Sequence, residues 1–371
     1  MAYQDVKTPR IYIDWLSYAK LNNLSSGITK TDLDLMPGSM LGEMLGLSPS
    51  KVVNFNLQSN TNYNRINMKF GKPIGDIMTA NSVGNTKMWV GIFGHNFASQ
   101  NVRLRLLTGD NVWMGGINPI FNIKQESHNP DGNEFTNSQS FDYDGFSLFE
   151  VYSNSGQNEV EPSNTIQLRL LKDDFTNTDD YPIQIGAIAA GFYFDLPHSP
   201  DLKLNMNRDY GVKMTTGTNG KQFPSIGWSG IDNHGEVAPM DFTDSGLAPG
   251  RRSGRRTWDL KFSQFSNKYI AGANELTSTL HGSQETSLHS QDDSGNNITT
   301  DFSSNWEDNE DVFSRWIDKT NGPTLPFLFA PDKSNVKPDT LAIARLDQSS
   351  FKFSQVSHQT YSFSVKIKEQ I

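Results

Sequence analysis

The stretch WVGIFGHNFASQNVRLRL, residues 89–106, reads as two strands, Trp89 to Phe93 and Val102 to Leu106, separated by Gly94-His95-Asn96. In the second strand Val102, Leu104 and Leu106 alternate with Arg103 and Arg105, the period-two pattern of a sheet with one buried and one wet face. Between the strands, Gly94 permits positive φ and Asn96 can bond its side chain to nearby backbone, so the triplet predicts a strand end and a redirected chain. His95 could instead serve as a base or a ligand. The seven histidines (95, 128, 198, 234, 281, 289, 358) are scattered, however, without His-x-x-x-His or His-Glu-x-x-His spacing, and the expectation is a structural turn.

The alternation recurs outward from this stretch. Ile166, Leu168 and Leu170 alternate with Gln167 and Arg169; Ile183, Ile185 and Ile188 lead into Phe192-Tyr193-Phe194; and Tyr361, Phe363, Val365 and Ile367 alternate with Ser362, Ser364, Lys366 and Lys368. Phe351 and Phe353 offer a hairpin partner to that last strand. The prediction is a mainly β protein of antiparallel sheets. Its 371 residues exceed the usual ceiling for one core, so two sandwich-type domains are expected, residues 51–197 and 198–371, divided at Pro197-His198-Ser199-Pro200. Residues 1–50 are expected as an extended arm, with a short strand or edge strand near Arg10 to Leu16. In the second domain, Val312, Phe313, Trp316 and Ile317 predict one helix over 307–320, with acidic residues in its first turn and Asn321-Gly322 as its stop. Residues 281–305 carry little hydrophobic payload and are expected as an exposed excursion.

Composition narrows the chemistry. Cysteine is absent, so disulfides, thiolate metal sites and Cys nucleophiles are excluded together. A formal charge of −9 argues against nucleic acid, which requires clustered Lys and Arg. The N-terminus lacks a signal-peptide pattern and no apolar run approaches the roughly 18 residues of a membrane span, so a soluble chain is expected. Gly227-Trp228-Ser229-Gly230 lacks the spacing of a nucleophile elbow, and Gly217-Thr218-Asn219-Gly220-Lys221 is too short for a phosphate-binding loop.

Four sets of residues stand out. Asp142 and Asp144, with Glu150 further on, resemble a hard-cation turn but lack the third acidic position of a full loop, and a solvated turn is the commoner use. Glu307, Asp308, Glu310 and Asp311 have a dipole-capping explanation ahead of a paired-carboxylate one. The run Arg251-Arg252-Ser253-Gly254-Arg255-Arg256 is read as pairing with acidic surface on a neighbouring subunit, and with Arg251, Arg252, Arg255 and Arg256 the arm residues Tyr12 and Trp15 complete the assembly candidates. Trp113 and Trp228, on loops, are candidates for stacking on sugar rings.

Trp89 to Phe97, Asp144-Gly145-Phe146, Ile185-Gly186 and Phe192 to Pro197 resemble the galactose-binding-like β-sandwich of tailed-bacteriophage virion structural proteins. The strings Gly254 to Phe262, Lys319 to Gly322, Leu325 to Phe329, Ala342 to Leu346 and Lys366 to Gln370 are similar to tail-associated phage proteins. The resemblance spans roughly residues 85–371 and rests on the order of these strings. It implies a virion component of the tail, baseplate or an attached appendage, with other virion proteins and copies of itself as partners, and no reaction or cofactor. Arg255 and Trp258 match its Arg-Arg-x-Trp string, and Gly94, His95 and Asn96 match a string that is a structural turn. The alternatives are a module binding host-surface carbohydrate and, on the acidic cluster alone, a glycan-cleaving enzyme.

Overall fold

The computed structural model describes residues 6–24, 26–31, 33–49, 51–57, 64–71, 88–108, 117–121, 124–125, 139–142, 144–151, 164–172, 183–202, 205–209, 212–226, 255–266, 269–270, 290–291, 297–298, 311–335, 340–358 and 360–370. Strands numbered along the chain run from β1 (Arg10–Tyr12) to β24 (Thr360–Glu369), and every pairing among them is antiparallel.

An 11-stranded sheet forms the backbone of the fold. Its order is β15 (Asn205–Asp209), β18 (Arg255–Ser266), β24, β22 (Ala342–Leu346), β21 (Phe327–Ala330), β1, β14 (Ala187–Asp195), β6 (Met88–His95), β11 (Gly145–Val151) and β8 (Ile117–Phe121), with β23 (Phe353–Ser357) beside β24. Facing its β6–β14 half is a six-stranded sheet of β2 (Ser26–Thr31), β5 (Asn64–Phe70), β12 (Thr165–Lys172), β7 (Val102–Thr108), β10 (Gln139–Ser140) and β9 (Lys124–Gln125). Three short strands, β3 (Leu33–Leu35), β4 (Val53–Leu57) and β13 (Ile183–Ile185), make a third sheet. Two hairpins stand by themselves: β16 (Val212–Thr216) with β17 (Gln222–Ile226), and β19 (Ser290–Gln291) with β20 (Asn297–Ile298).

The alternation read from the sequence builds the larger core. Ile66 and Met68 of β5, Leu104 and Leu106 of β7 and Leu168 and Leu170 of β12 are buried in one cluster with Val90, Ile92, Ile188 and Phe192 of the long sheet. A second cluster lies on the opposite side of the same central strands: Tyr12, Trp89, Phe93, Phe146, Leu148, Ala187, Ala189, Leu328 and Ile343. All eight residues of β6 are therefore buried, and a strand covered on both faces needs an unbroken apolar run rather than alternation.

The N-terminal segment is not an edge or an arm. β1 is a central strand, paired on one side with β14 (Ile11 opposite Phe194) and on the other with β21 (Ile11 opposite Phe329). The expected division at Pro197 falls just after β14, and the long sheet continues across it through β1. A helix missed by periodicity follows directly: α1 (Trp15–Leu21), capped by Asp14, whose carboxylate accepts from the Ser17 N–H at 3.3 Å and from the Ser17 hydroxyl. Tyr12 and Trp15 are core residues. Trp15 donates its indole N–H to the Phe70 carbonyl at 3.0 Å, so neither is available to a neighbouring chain.

The one helix expected from the sequence, over 307–320, is a π-helical segment, Phe313–Asp318, and residues 307–310 lie outside the described residues. Asp311 repeats the Asp14 cap, accepting from the Ser314 N–H at 2.7 Å and the Ser314 hydroxyl at 3.0 Å. Asn321 and Gly322 end the segment with φ of 48° and 60°, the left-handed stop that Asn-Gly predicts. Ser314, Arg315, Trp316 and Ile317 are all buried, which replaces the expected amphipathic stripe. Against α1, Lys319 lies 4.8 Å from the Tyr18 ring centre and is paired with Asp318 at 2.9 Å. In the C-terminal hairpin β23 carries Phe353 and runs on to Ser357, which pairs with Thr360.

β14 meets the β1–α1 junction through Gly191, where an added Cβ would strike the Ile13 carbonyl and come within 2.7 Å of the Trp15 nitrogen. Both obstacles are backbone and cannot swing aside. Gly191→Ala is expected to destabilise the fold by about 1–3 kcal/mol, the scale of core overpacking, read as a lower midpoint in urea denaturation. Gly42→Ala, with open space around its Cβ position, is the control expected to leave the midpoint nearly unchanged.

Candidate functional site

The groups that looked chemical in the sequence divide between buried frameworks and an exposed surface. His95 is the last residue of β6 and is buried. Its Nδ1 accepts the Phe97 backbone N–H at 3.3 Å, so the ring proton sits on Nε2 and is donated to the Ser147 hydroxyl at 2.7 Å. That is the opposite polarity from a base activating serine, and Ser147 is itself fully buried. The ring stacks on Phe97 at 4.5 Å and packs against Phe141, and burial lowers its pKa to about 3. Around it Gly94 takes φ of 63°, the Phe93 carbonyl accepts the Gly186 N–H at 2.8 Å, and the Asn96 side chain accepts the Gln184 N–H at 2.8 Å. The register between β6 and β11 shifts at Gly145/Phe146 opposite this point. The triplet is a turn with a built-in polar lock.

Glu150, considered above as a metal ligand, is held by protein. Arg10 on β1 pairs with Glu150 of β11 and bridges Asp195 of β14 through two bonds of 2.6 and 3.1 Å, while the Tyr12 hydroxyl donates to Glu150 at 3.1 Å. The guanidinium also lies 4.1 Å from the Tyr193 ring centre. Burial first, and then the Glu150 charge, push the Tyr12 phenol well above its ordinary range, so Tyr12 is a fixed donor. Asp142 and Asp144 sit at the turn before β11, where Asp144 accepts the Ser99 N–H at 3.0 Å. Six strand residues put Glu150 about 20 Å from Asp144, too far to share an ion. Among the described residues no group of three or more His, Asp or Glu side chains gathers as a metal requires.

Arg256, expected to face a neighbouring subunit, is committed inside the chain. It forms a fork with the Glu369 carboxylate at 2.7 and 3.0 Å, donates to the Leu341 carbonyl at 2.6 Å, and stacks 5.3 Å from the Trp258 ring. Its role is to tie β18 to the end of β24. Arg255 is half-buried on β18. Arg251, Arg252, Trp113 and Trp228 lie outside the described residues, as do Glu307, Asp308 and Glu310.

Sequence reasoning missed the surface that the structure does expose. In the β16–β17 hairpin every described side chain from Lys213 to Pro224 is exposed apart from Gly217. Met214 is 58% and Phe223 51% accessible. Met214 pairs with Pro224 and Phe223 with Thr215, and adjacent pairs point to opposite faces, so Met214 and Phe223 are exposed on opposite faces of the hairpin. Leu202, three residues before β15 in the chain, is also fully exposed. The available signal was the tight turn Gly217 to Lys221, closed by N–H donation from Gly217 to Lys221 and from Gly220 to Gly217, read above only as a failed phosphate loop.

Truncating Arg10 would leave the Glu150 and Asp195 carboxylates together without their shared cation. Arg10→Met is expected to cost about 3 kcal/mol by urea denaturation, and Arg10→Met with Glu150→Gln less than the sum of the singles. Two buried groups tilt the pH dependence of stability in opposite directions. His95, lowered from 6.5 to about 3, contributes stability that is complete above pH 6.5 and is lost as pH falls toward 3, because only the unfolded chain takes up the proton there. Asp14, raised by burial from 3.8 to about 6, contributes stability present below 3.8 and lost as pH rises through 6. Between pH 4 and 6.5, His95→Gln is therefore expected to flatten the acid-side fall in unfolding free energy, and Asp14→Asn to steepen it. No family model, no curated protein and no solved structure matches this chain.

Proposed function

We propose that this chain is a structural protein of a tailed-bacteriophage virion, belonging to the tail, baseplate or an attached appendage and acting through protein–protein assembly. The proposal takes the sandwich of the six-stranded sheet against the long sheet as galactose-binding-like, in line with the resemblance of residues 85–371. The observation that carries the assembly reading is the β16–β17 hairpin. A lone two-stranded hairpin is marginal in water and needs a third strand or a packing surface. Among the described residues this one has neither a third strand nor a covered face, and its apolar side chains point both ways. Contact with another chain would supply what the hairpin lacks. The carbohydrate alternative rests on Trp113 and Trp228, outside the described residues.

Assembly as a function predicts where the chain is found. Mass spectrometry of purified particles is expected to detect it in several copies per virion. Met214→Ser with Phe223→Ser is expected to keep the thermal midpoint of the isolated protein and to reduce incorporation several-fold. Particles that lack the chain altogether would contradict the reading, as would full incorporation of the double variant.

A further inference from the structure

We infer that Asn219, in the turn of the β16–β17 hairpin, is a site of spontaneous deamidation in the folded chain, converting through a succinimide to aspartate and isoaspartate. The inference goes beyond the proposed function and concerns the free chain, whatever it assembles with. The sequence holds two Asn-Gly pairs, Asn219-Gly220 and Asn321-Gly322, each preceded by Thr. A glycine leaves its own amide nitrogen open to the preceding side chain, since it has no Cβ in the way. With identical triplets, the fold decides which of the two reacts.

In the reaction the Gly220 amide nitrogen bonds to Asn219 Cγ and the Cγ–Nδ2 bond breaks. Nδ2 leaves as ammonia, with the proton that Gly220 gives up. Water then opens the imide. Cleavage of the new Cγ–N bond gives aspartate in the ordinary backbone, and cleavage of the original peptide bond gives isoaspartate, whose chain runs through Cγ. Water is the only co-reactant.

The hairpin turn favours this step. Asn219 and Gly220 are both exposed, and Asn219 Oδ1 accepts the Lys221 N–H at 3.1 Å. That bond folds the side chain back over its own peptide and meets the negative charge that gathers on Oδ1 as the nitrogen attacks. What holds the nucleophile back is the Gly220 N–H on the Gly217 carbonyl at 2.9 Å. Freeing it takes only a local opening of a two-stranded hairpin that has no third strand among the described residues. Asn321 is exposed as well, but the Gly322 N–H donates to the Ile317 carbonyl at 2.8 Å and the Leu325 N–H to the Thr320 carbonyl at 2.8 Å. Ile317 and Thr320 are buried, so freeing Gly322 means unpacking the end of the π-helical segment. At Asn219 the product also changes its surroundings. Residues 213–224 carry Lys213 and Lys221 and no carboxylate, so conversion brings the first negative charge to this turn, and isoaspartate adds a methylene to a loop closed by the Gly217 N–H on the Lys221 carbonyl.

The test incubates the purified chain at physiological temperature, at neutral and mildly alkaline pH, in buffer and in guanidinium chloride. Peptide mass spectrometry with isoaspartate detection follows both pairs. In buffer Asn219 is expected to convert several-fold faster than Asn321, and faster at the higher pH, because Gly220 attacks after losing its proton. In denaturant the two identical triplets are expected to convert at similar rates. Asn219→Gln, whose ring closure is far slower, is expected to abolish the modified hairpin peptide and keep the thermal midpoint. An Asn219 that stays intact in buffer for as long as the unfolded chain takes to convert it, or an Asn321 that converts as fast as Asn219 in the folded chain, would overturn the inference.

Discussion

Three residues, Arg10 to Tyr12, hold the long sheet together. β1 supplies the ladder to β14 on one side and β21 on the other, so removing it would leave two rows of main-chain groups facing each other in the middle of a sheet that is apolar on both faces. Each buried orphan costs about 1–3 kcal/mol, and a strand this short has little propensity of its own to set against that. Side chains make up the difference: Arg10 joins β11 and β14 through Glu150 and Asp195, and Trp89 donates to both the Ile13 and Phe192 carbonyls at 3.0 and 3.1 Å. The Asp14 cap then turns the chain into α1 immediately after the strand, which fixes the register of β1 from its C-terminal end.

This arrangement explains what could be read from the sequence. Strands β7 and β24 each have one covered and one more open polar face, and their alternation was legible; β12 alternates as well, although its Gln167 and Arg169 are also buried. Gly94-His95-Asn96 was legible as a turn, through the positive φ of Gly94 and the Phe97 N–H on His95, but its locks were not, since Asn96 bonds Gln184 and His95 bonds Ser147, 88 and 52 residues away. β1 was not. Its partners lie about 185 and 318 residues away, and three residues are too few to show a period. Arg10-Ile11-Tyr12-Ile13 looks the same at a sheet edge and in its centre. The helix at Trp15 failed for the same reason: seven residues give barely two turns, and the Asp14–Ser17 cap was the signal available.

Charge was the least legible feature. Arg256 and Glu150 read as a surface cation and a loose ligand because Glu369 and Arg10 lie 113 and 140 residues from them. A charged residue whose partner is remote in sequence has the same local pattern as one that faces water. In this fold such residues act as ties between strands that local sequence cannot align: Arg256 closes β18 on β24, and Arg10 closes β1 on its neighbours. Their burial makes them costly to unpair, which suits a framework and is unsuited to a contact that must be desolvated anew on assembly.

The same reasoning locates the surface that is left. Large sheets guard their edges with short strands, charges or coverage, and β15 is short and carries Arg208 and Asp209. Those devices discourage indiscriminate pairing, while Leu202 before the strand and Met214 and Phe223 in the hairpin after it are exposed. Asp209 is moreover paired with Lys368 of β24 at 3.8 Å, so the charge that guards this edge also ties it to the strand two places in.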